Sequence, residues 1–270
     1  TGALEAAGQL PEITADITYA QGYDTAEDRT DPALLAEAVK AAEEADVAVI
    51  FAGLPDAFES EGYDRSHMQM PECQNELIRE ILRVQKNTVV VLHNGSPVEM
   101  PWAGDVNAIL ESYLCGQAVG AAQVRLLFGL ANPCGKLAET IPLKLQDNPS
   151  YLNFPGDGQT VEYKEGVFVG YRYYDTKEMD VRFPFGHGLS YTTFQYSDMQ
   201  LSRGQLSDRD TLTVSLKVKN TGTVAGKEIV QLYVADRTGA ANRPVKELKN
   251  FTKVFLEPGQ EKTVEMTLDK

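Results

Sequence analysis

Residues 46–65 read DVAVIFAGLPDAFESEGYDR, and the two ends of that stretch ask for opposite surroundings. The first part, DVAVIFAG (46–53), is a continuous apolar run closed by Gly53 and Pro55. That is the pattern of a parallel strand buried on both faces. The last part, FESEGYDR (58–65), crowds Glu59, Glu61, Asp64 and Arg65 around Gly62 and Tyr63. Ionisable groups thus follow directly on the carboxyl end of a buried strand. In an open α/β sheet that edge is where ligands bind.

The flanking patterns extend this strand into a fold. DITYA (16–20) reads as a short strand. Asp31 is placed to cap a helix with Pro32 at its first position, running through 33–45. PECQNELIREILRVQ (71–85) repeats Leu77, Ile78, Ile81 and Leu82 at helical spacing. NTVVVL (87–92) and NAILESYL (107–114) read as two more buried strands, and GQAVGAAQVRLLFG (116–129) as a helix ending at Gly129. The order predicts an α/β fold, an open mostly parallel sheet with flanking helices on both faces. The loops FESEGYDR, HNGSPVEMP (93–101) and CGQ (115–117) then converge on one edge.

Residues 130–190 are rich in Gly, Pro, Asn and aromatics, which reads as a long irregular connection. From about 191 the period becomes two. Leu212, Val214, Leu216 and Val218 alternate with polar residues, NTGTVAG makes a turn, and KEIVQLYVAD (227–236) follows. This predicts an all-β immunoglobulin-like sandwich of roughly five strands, truncated against the roughly seven such a fold uses. The expected organisation is 1–150 as the α/β domain carrying the charged loop, 151–190 as the connecting segment, and 191–270 as the β-sandwich.

Composition narrows the function. Hydrophobic residues make up 43% of the chain, enough for a sizeable core, and the net charge is −14 with a pI near 4.7. An acidic surface argues against nucleic acid or an anionic membrane as partner and suits a neutral ligand such as a sugar. No apolar run approaches the ~18 residues of a membrane span. The N-terminus has neither the basic nor the apolar region of a secretion signal, and it lacks an initiating Met, which suggests an excised piece. Cys73, Cys115 and Cys134 have no CxxC spacing and are expected as reduced structural thiols, which favours a cytoplasmic location. His67, His93 and His187 are too scattered for a metal, and no cofactor is implied.

The carboxylates of the loop lack the register of a calcium hand. The chain has no Walker lysine and no Gly-x-Ser-x-Gly elbow. General acid/base work by one carboxyl remains, because neighbouring carboxylates disfavour ionisation. Gly62 permits a sharp turn, and Tyr63 offers a flat face for a sugar ring. A merely solvated loop is the alternative that composition leaves open.

Five ordered motifs carry a resemblance. They are SEGYDR (60–65), VVVLHNGSPVEMPW (89–102), GQAVGAAQVRLLFGLANPCGKLAETIP (116–142), EGVFVGYRYYD (165–175) and FPFGHGLSYTTFQYSDM (183–199). Together they resemble the C-terminal half of glycoside hydrolase family 3 β-glucosidases, and VKNTGTVAGKEIVQLYV (218–234) is similar to that family's fibronectin type III-like module. The resemblance implies a retaining mechanism with an Asp nucleophile on a (β/α)8 barrel and a Glu acid/base on the α/β domain. That Glu directly precedes Gly-Tyr, which selects Glu61 over its rival Glu59. Tyr63 becomes a leaving-group platform that binds substrate, and Asp64 and Arg65 an ion pair fixing the loop. His93 is expected as a hydrogen-bonded loop residue, Trp102 as core or domain contact, and His187 as structural. The segments around 165–175 and 183–199 are expected to pack on the barrel or the sandwich.

No segment supplies eight β/α units or the nucleophile motif, so the chain carries an acid/base without its nucleophile. The implied partners are a β-glucoside or oligosaccharide substrate and a barrel domain of the same enzyme; homo-oligomerisation is left open. A β-xylosidase of the same family and a non-catalytic carbohydrate-binding or docking module are the alternatives. A flavodoxin-like nucleotide domain would need a phosphate loop that the sequence lacks.

Overall fold

The computed structural model describes residues 2–62, 64–207, 209–239 and 241–269. It divides into two compact units, one of residues 1–128 and 142–145, the other of 129–141 and 146–270.

The first unit holds three parallel strands in the order β1-β2-β3: β1 (Ala48–Gly53), β2 (Thr88–His93) and β3 (Ala108–Glu111). The register pairs Gly53 with His93, and Leu92 with Glu111, so the three carboxyl ends lie along one edge. Four helices accompany them: α1 (Ala3–Gln9), α2 (Pro32–Glu44), α3 (Glu72–Val84) and α4 (Val119–Leu127). Helix α2 starts as its sequence dictates. Asp31 Oδ1 accepts from the Ala33 and Leu34 amides, and Pro32 takes the first position where no donor is needed. Helix α3 buries Cys73, Leu77, Ile78, Ile81 and Leu82, and α2 packs against it. Helices α1 and α4 share a small cluster of Ala6, Ala7 and Val124.

Three expectations change. Residues 16–20 form no strand; Ile17 and Tyr19 are exposed and so offer no face to bury. The first strand is not buried on both faces. It lies at the edge of the three strands, and Val49 and Phe51 alternate outward at 39% and 37% exposure. Only the central strand matches a continuous buried run, with Val90, Val91 and Leu92 wholly enclosed. The third strand stops at Glu111, because Tyr113 turns to a φ of +50°.

The second unit is a β-sandwich of two antiparallel sheets. One has the order β4-β5-β8, from β4 (Phe194–Leu201), β5 (Leu212–Asn220) and β8 (Glu261–Leu268); the other pairs β6 (Gly226–Val234) with β7 (Glu247–Leu256). The period-two residues Leu216 and Val218 meet Val230, Leu256, Val264 and Met266 in its core. The segment read as irregular contains a short helix, α5 (Tyr171–Thr176). It is stitched onto the sandwich. Tyr171 stacks on Phe185 at 4.6 Å and meets Tyr233 edge-on, and the Leu248 amide donates to the Tyr171 hydroxyl. Gly186 has a φ of +80°, and a Cβ there would lie 2.4 Å from Gln231 Oε1. His187 stacks on Phe183, and burial together with the nearby Lys136 charge lowers its pKa, which fits a structural role.

Candidate active site

The loop that carries the charge begins where β1 ends. Gly53 is held there by a buried amide from the neighbouring helix α3. Its N–H donates to Gln74 Oε1 and its carbonyl accepts from Gln74 Nε2, each at 2.9 Å. Gln74 thus does for this backbone what a further strand would do. Gly53 also lies against the next strand so closely that a Cβ would sit 2.0 Å from the His93 carbonyl. The same carbonyl accepts from the Leu54 amide.

Past Pro55 the chain turns, and Glu59 swings back onto the loop that follows β2. Its Oε2 accepts from the Gly95 amide at 2.6 Å and its Oε1 from Ser96 Oγ at 2.7 Å. Arg65 closes the far side, donating through Nη1 to Ser96 Oγ at 2.7 Å and to the Pro97 carbonyl at 3.2 Å. The sequence pointed to Asp64 as the partner of Arg65; the ion pair that forms is with Glu59, at 4.0 Å. Both side chains are shielded, 13% and 20% exposed. Asn94, fully buried, continues the network by donating to the Ser96 carbonyl and to Glu111 Oε2 at the end of β3. The loops after β1 and β2 and the end of β3 therefore converge.

Glu61 stands between these anchors, in a turn with Gly62 at φ +93°, and is exposed. Tyr63 lies outside the described residues. Asp64 is exposed. Two hollows adjoin the loop. One of about 300 Å³ is lined by Tyr23, Phe51, Phe58, Gln74 and His93 among others. The other, of about 200 Å³, is lined by Ala57, Phe58, Asp64, Arg65, Ser66 and His67. Glu61 lines neither and faces outward.

His93 sits at the tip of β2. Burial lowers its pKa, with the Gln123 amide 2.6 Å away acting in the opposite sense. Gln123 also donates to Ser112 Oγ. Trp102 is a core residue, its indole N–H donating to Asn75 Oδ1. Cys73 is buried as expected of a structural thiol, but Cys115 is exposed and departs from that reading; it lies in the loop beyond β3, which leaves the core. Among the described residues no group of His, Cys, Asp and Glu could hold a metal ion, and no helix is long and apolar enough to cross a membrane.

The sequence did not mark Gly95, Ser96, Asn94, Glu111 or Gln74 as parts of the site. For the first three the signal was the Asn-Gly-Ser of the loop HNGSPVEMP, which strand order already brings to this edge. The sequence also set Glu59 aside as a second acid, where the structure makes it an anchor.

Comparison with known proteins places these features in a family. Residues 5–191 match the glycosyl hydrolase family 3 C-terminal domain, and 228–270 match a fibronectin type III-like domain. The thermostable β-glucosidase B of Acetivibrio thermocellus is 61% identical over 94% of this chain and 34% of its own length. The probable β-glucosidase I of Aspergillus fumigatus is 48% identical over 88% of this chain and 29% of its own. Among solved structures, the GH3 β-glucosidase of Bifidobacterium adolescentis superposes with a TM-score of 0.94 at 44% identity, covering 100% of this chain and 39% of that one. The β-glucosidase of Kluyveromyces marxianus in complex with glucose gives 0.83 at 45% identity, covering 89% and 29%. The chain spans about a third of the length of the curated relatives it matches.

Proposed function

The chain belongs to glycosyl hydrolase family 3, and we propose that it is the C-terminal part of a retaining β-glucosidase in which Glu61 is the general acid/base. Residues 1–150 form the domain that presents this carboxyl, 151–190 link it, and 191–270 are the fibronectin type III-like module. The nucleophile comes from a (β/α)8 barrel outside these residues, and Tyr63 is the platform for the leaving group.

The observation that carries the reading is the contrast between two carboxyls two residues apart. Both oxygens of Glu59 are occupied as acceptors by Gly95 and Ser96. A general acid must instead present a proton outward to a substrate oxygen. Glu61 is exposed on the turn that Glu59 and Arg65 bracket. In the first step its proton passes to the glycosidic oxygen as the bond from the anomeric carbon to that oxygen breaks and the barrel aspartate bonds to the carbon. In the second, the Glu61 carboxylate takes a proton from water as the water oxygen attacks the same carbon and the aspartyl ester is released. The two carboxyls must then stand ~5–5.5 Å apart.

The test is hydrolysis of an aryl β-glucoside by the chain alone and by the chain joined to its barrel. The joined protein should turn over and the chain alone should not. Glu61→Gln in the joined protein should lower kcat by about 10²–10⁴-fold, the usual contribution of a positioned acid. Turnover by the chain alone that Glu61→Gln abolishes would refute the division of the site.

A further inference from the structure

We infer that Glu59, Ser96 and Arg65 form a clamp that positions the acid/base loop, so that Glu59 and Arg65 are positioning residues for catalysis. The inference rests on the reading of Glu61 given above. Glu59 and Arg65 flank the tip of the loop on either side, at the two ends of its short span. Their side chains approach to 4.0 Å, and Ser96 Oγ bridges them by donating to Glu59 Oε1 while accepting from Arg65 Nη1. The five intervening residues are thereby closed into a ring, and a short closed loop has little conformational freedom left. The ring is pinned from outside by the Gly95 amide and the Pro97 carbonyl. Through Asn94 the pin extends to Glu111 at the end of β3. The fixed points lie on the short loop just past β2 and, through Asn94, at the end of β3, so the loop is tied to two neighbouring strands of one parallel sheet.

Gly95 lets the side chains of Glu59 and Leu114 approach its backbone closely. A Cβ on it would lie 3.1 Å from the Glu59 carboxyl carbon and 3.0 Å from Leu114 Cδ1. Any side chain there would make the Glu59 carboxylate and Leu114 each give by a few tenths of an ångström. Exposed charged loops are common and solvated; here the two charges that flank the tip are the shielded ones, while Glu61 and Asp64 between them face solvent. The chemistry that results is selective. Misplacing a catalytic carboxyl by about 1 Å costs about 10²-fold, and the loss should fall on proton transfer to the leaving group.

The experiment compares Glu59→Ala, Glu59→Gln and Arg65→Lys with Glu61→Gln in the chain joined to its barrel. The readouts are kcat/KM on an alkyl β-glucoside, which needs a proton to depart, kcat/KM on 2,4-dinitrophenyl β-glucoside, which does not, and amide hydrogen exchange of residues 60–65. Glu59→Ala should lower kcat/KM on the alkyl glucoside about 30-fold or more, on the scale of a misplaced group. It should change the dinitrophenyl value by less than about 3-fold and speed exchange through the loop. Glu59→Gln keeps an acceptor for Gly95 and should recover much of both. Arg65→Lys keeps a charged donor for Ser96 and Pro97 but loses the planar fork that fixes its aim, and should fall between. Glu61→Gln should show the same leaving-group signature with unchanged exchange.

Equal losses on both substrates would mean a folding defect and overturn the clamp, as would unchanged exchange in Glu59→Ala. If Glu61→Gln lacks the signature, the acid/base reading fails by itself. Faster exchange in Glu59→Ala would then mark a structural loop tie with no catalytic purpose, which also overturns the proposal.

Discussion

Replacing Gln74 with Met, its closest apolar shape, should destabilise the first unit by about 2–4 kcal/mol. The figure follows from two hydrogen bonds, each 2.9 Å, to the N–H and carbonyl of Gly53. Gln74 is only 3% exposed and Gly53 is also buried, so water from the adjoining hollow replaces the lost partner poorly. Each buried backbone group left unsatisfied costs about 1–3 kcal/mol. Repair by a shift of the backbone is blocked on the other side, where Gly53 lies against the His93 carbonyl. The assay is urea unfolding followed by tryptophan fluorescence. Trp102 is the single tryptophan of the chain and is buried in this unit, so it reports this unit directly. With a urea slope of about 2 kcal/mol per M, the midpoint should fall by about 1–2 M with the slope unchanged. A fall of less than about 0.3 M would refute the claim that a side-chain amide takes the place of a neighbouring strand at the root of the charged loop.

Three further outcomes follow. The lowered pKa of His93 means that the unfolded chain binds its proton first as pH falls. Its contribution to stability should be complete above the ordinary value near 6.5 and be lost as pH falls from there through the folded value; Trp102-monitored unfolding at pH 7.5 and 5.5 should show a slope that His93→Gln flattens. Burial, then the bond and charge of Asp28, push the Cys73 thiol up from 9.0 to about 11. Near pH 8 it should hold about 100-fold less thiolate than an ordinary cysteine and resist iodoacetamide, whereas exposed Cys115 should be alkylated in the folded protein, as peptide mapping will show. In the sandwich, Asn220 is wholly buried; its amide donates to the Val224 and Leu256 carbonyls and its Oδ1 accepts from Thr192 Oγ1 and the Gly222 amide. Asn220→Ala should cost about 3–5 kcal/mol by stranding these groups, and lower the melting of the β-sheet circular dichroism signal by about 10 °C.

What was legible in the sequence was what local chemistry decides alone. Asp31-Pro32 started a helix at the residue it named, because the cap needs only neighbouring amides. The alternation of Leu212 to Val218 placed the sandwich core, because period two and one buried face are the same fact. DVAVIFAG and NTVVVL looked alike as apolar runs, yet one became an edge strand and the other the centre. Composition carries no information on strand order, and an apolar residue tolerates partial exposure. The site divided the same way. Strand ends told where the loop would lie, but the partners of Glu59 and Arg65 come from 31–37 residues away along the chain. Pairing Arg65 with the adjacent Asp64 was the local guess. The bridging hydroxyl of Ser96 lets Glu59 win, because it satisfies both charges at once.

The central claim is that Glu61, and not Glu59, is the acid/base. It is tested most directly by adding sodium azide to Glu61→Ala in the chain joined to its barrel, with 2,4-dinitrophenyl β-glucoside as substrate. The leaving group departs without a proton, the glycosyl-enzyme accumulates for want of a base, and azide, which needs none, attacks the anomeric carbon. Azide should raise the rate of Glu61→Ala strongly and make β-glucosyl azide its main product, while Glu59→Ala, which keeps the base though less well placed, should be accelerated far less and still give glucose as its main product. Azide rescue of Glu59→Ala, with none for Glu61→Ala, would contradict the account.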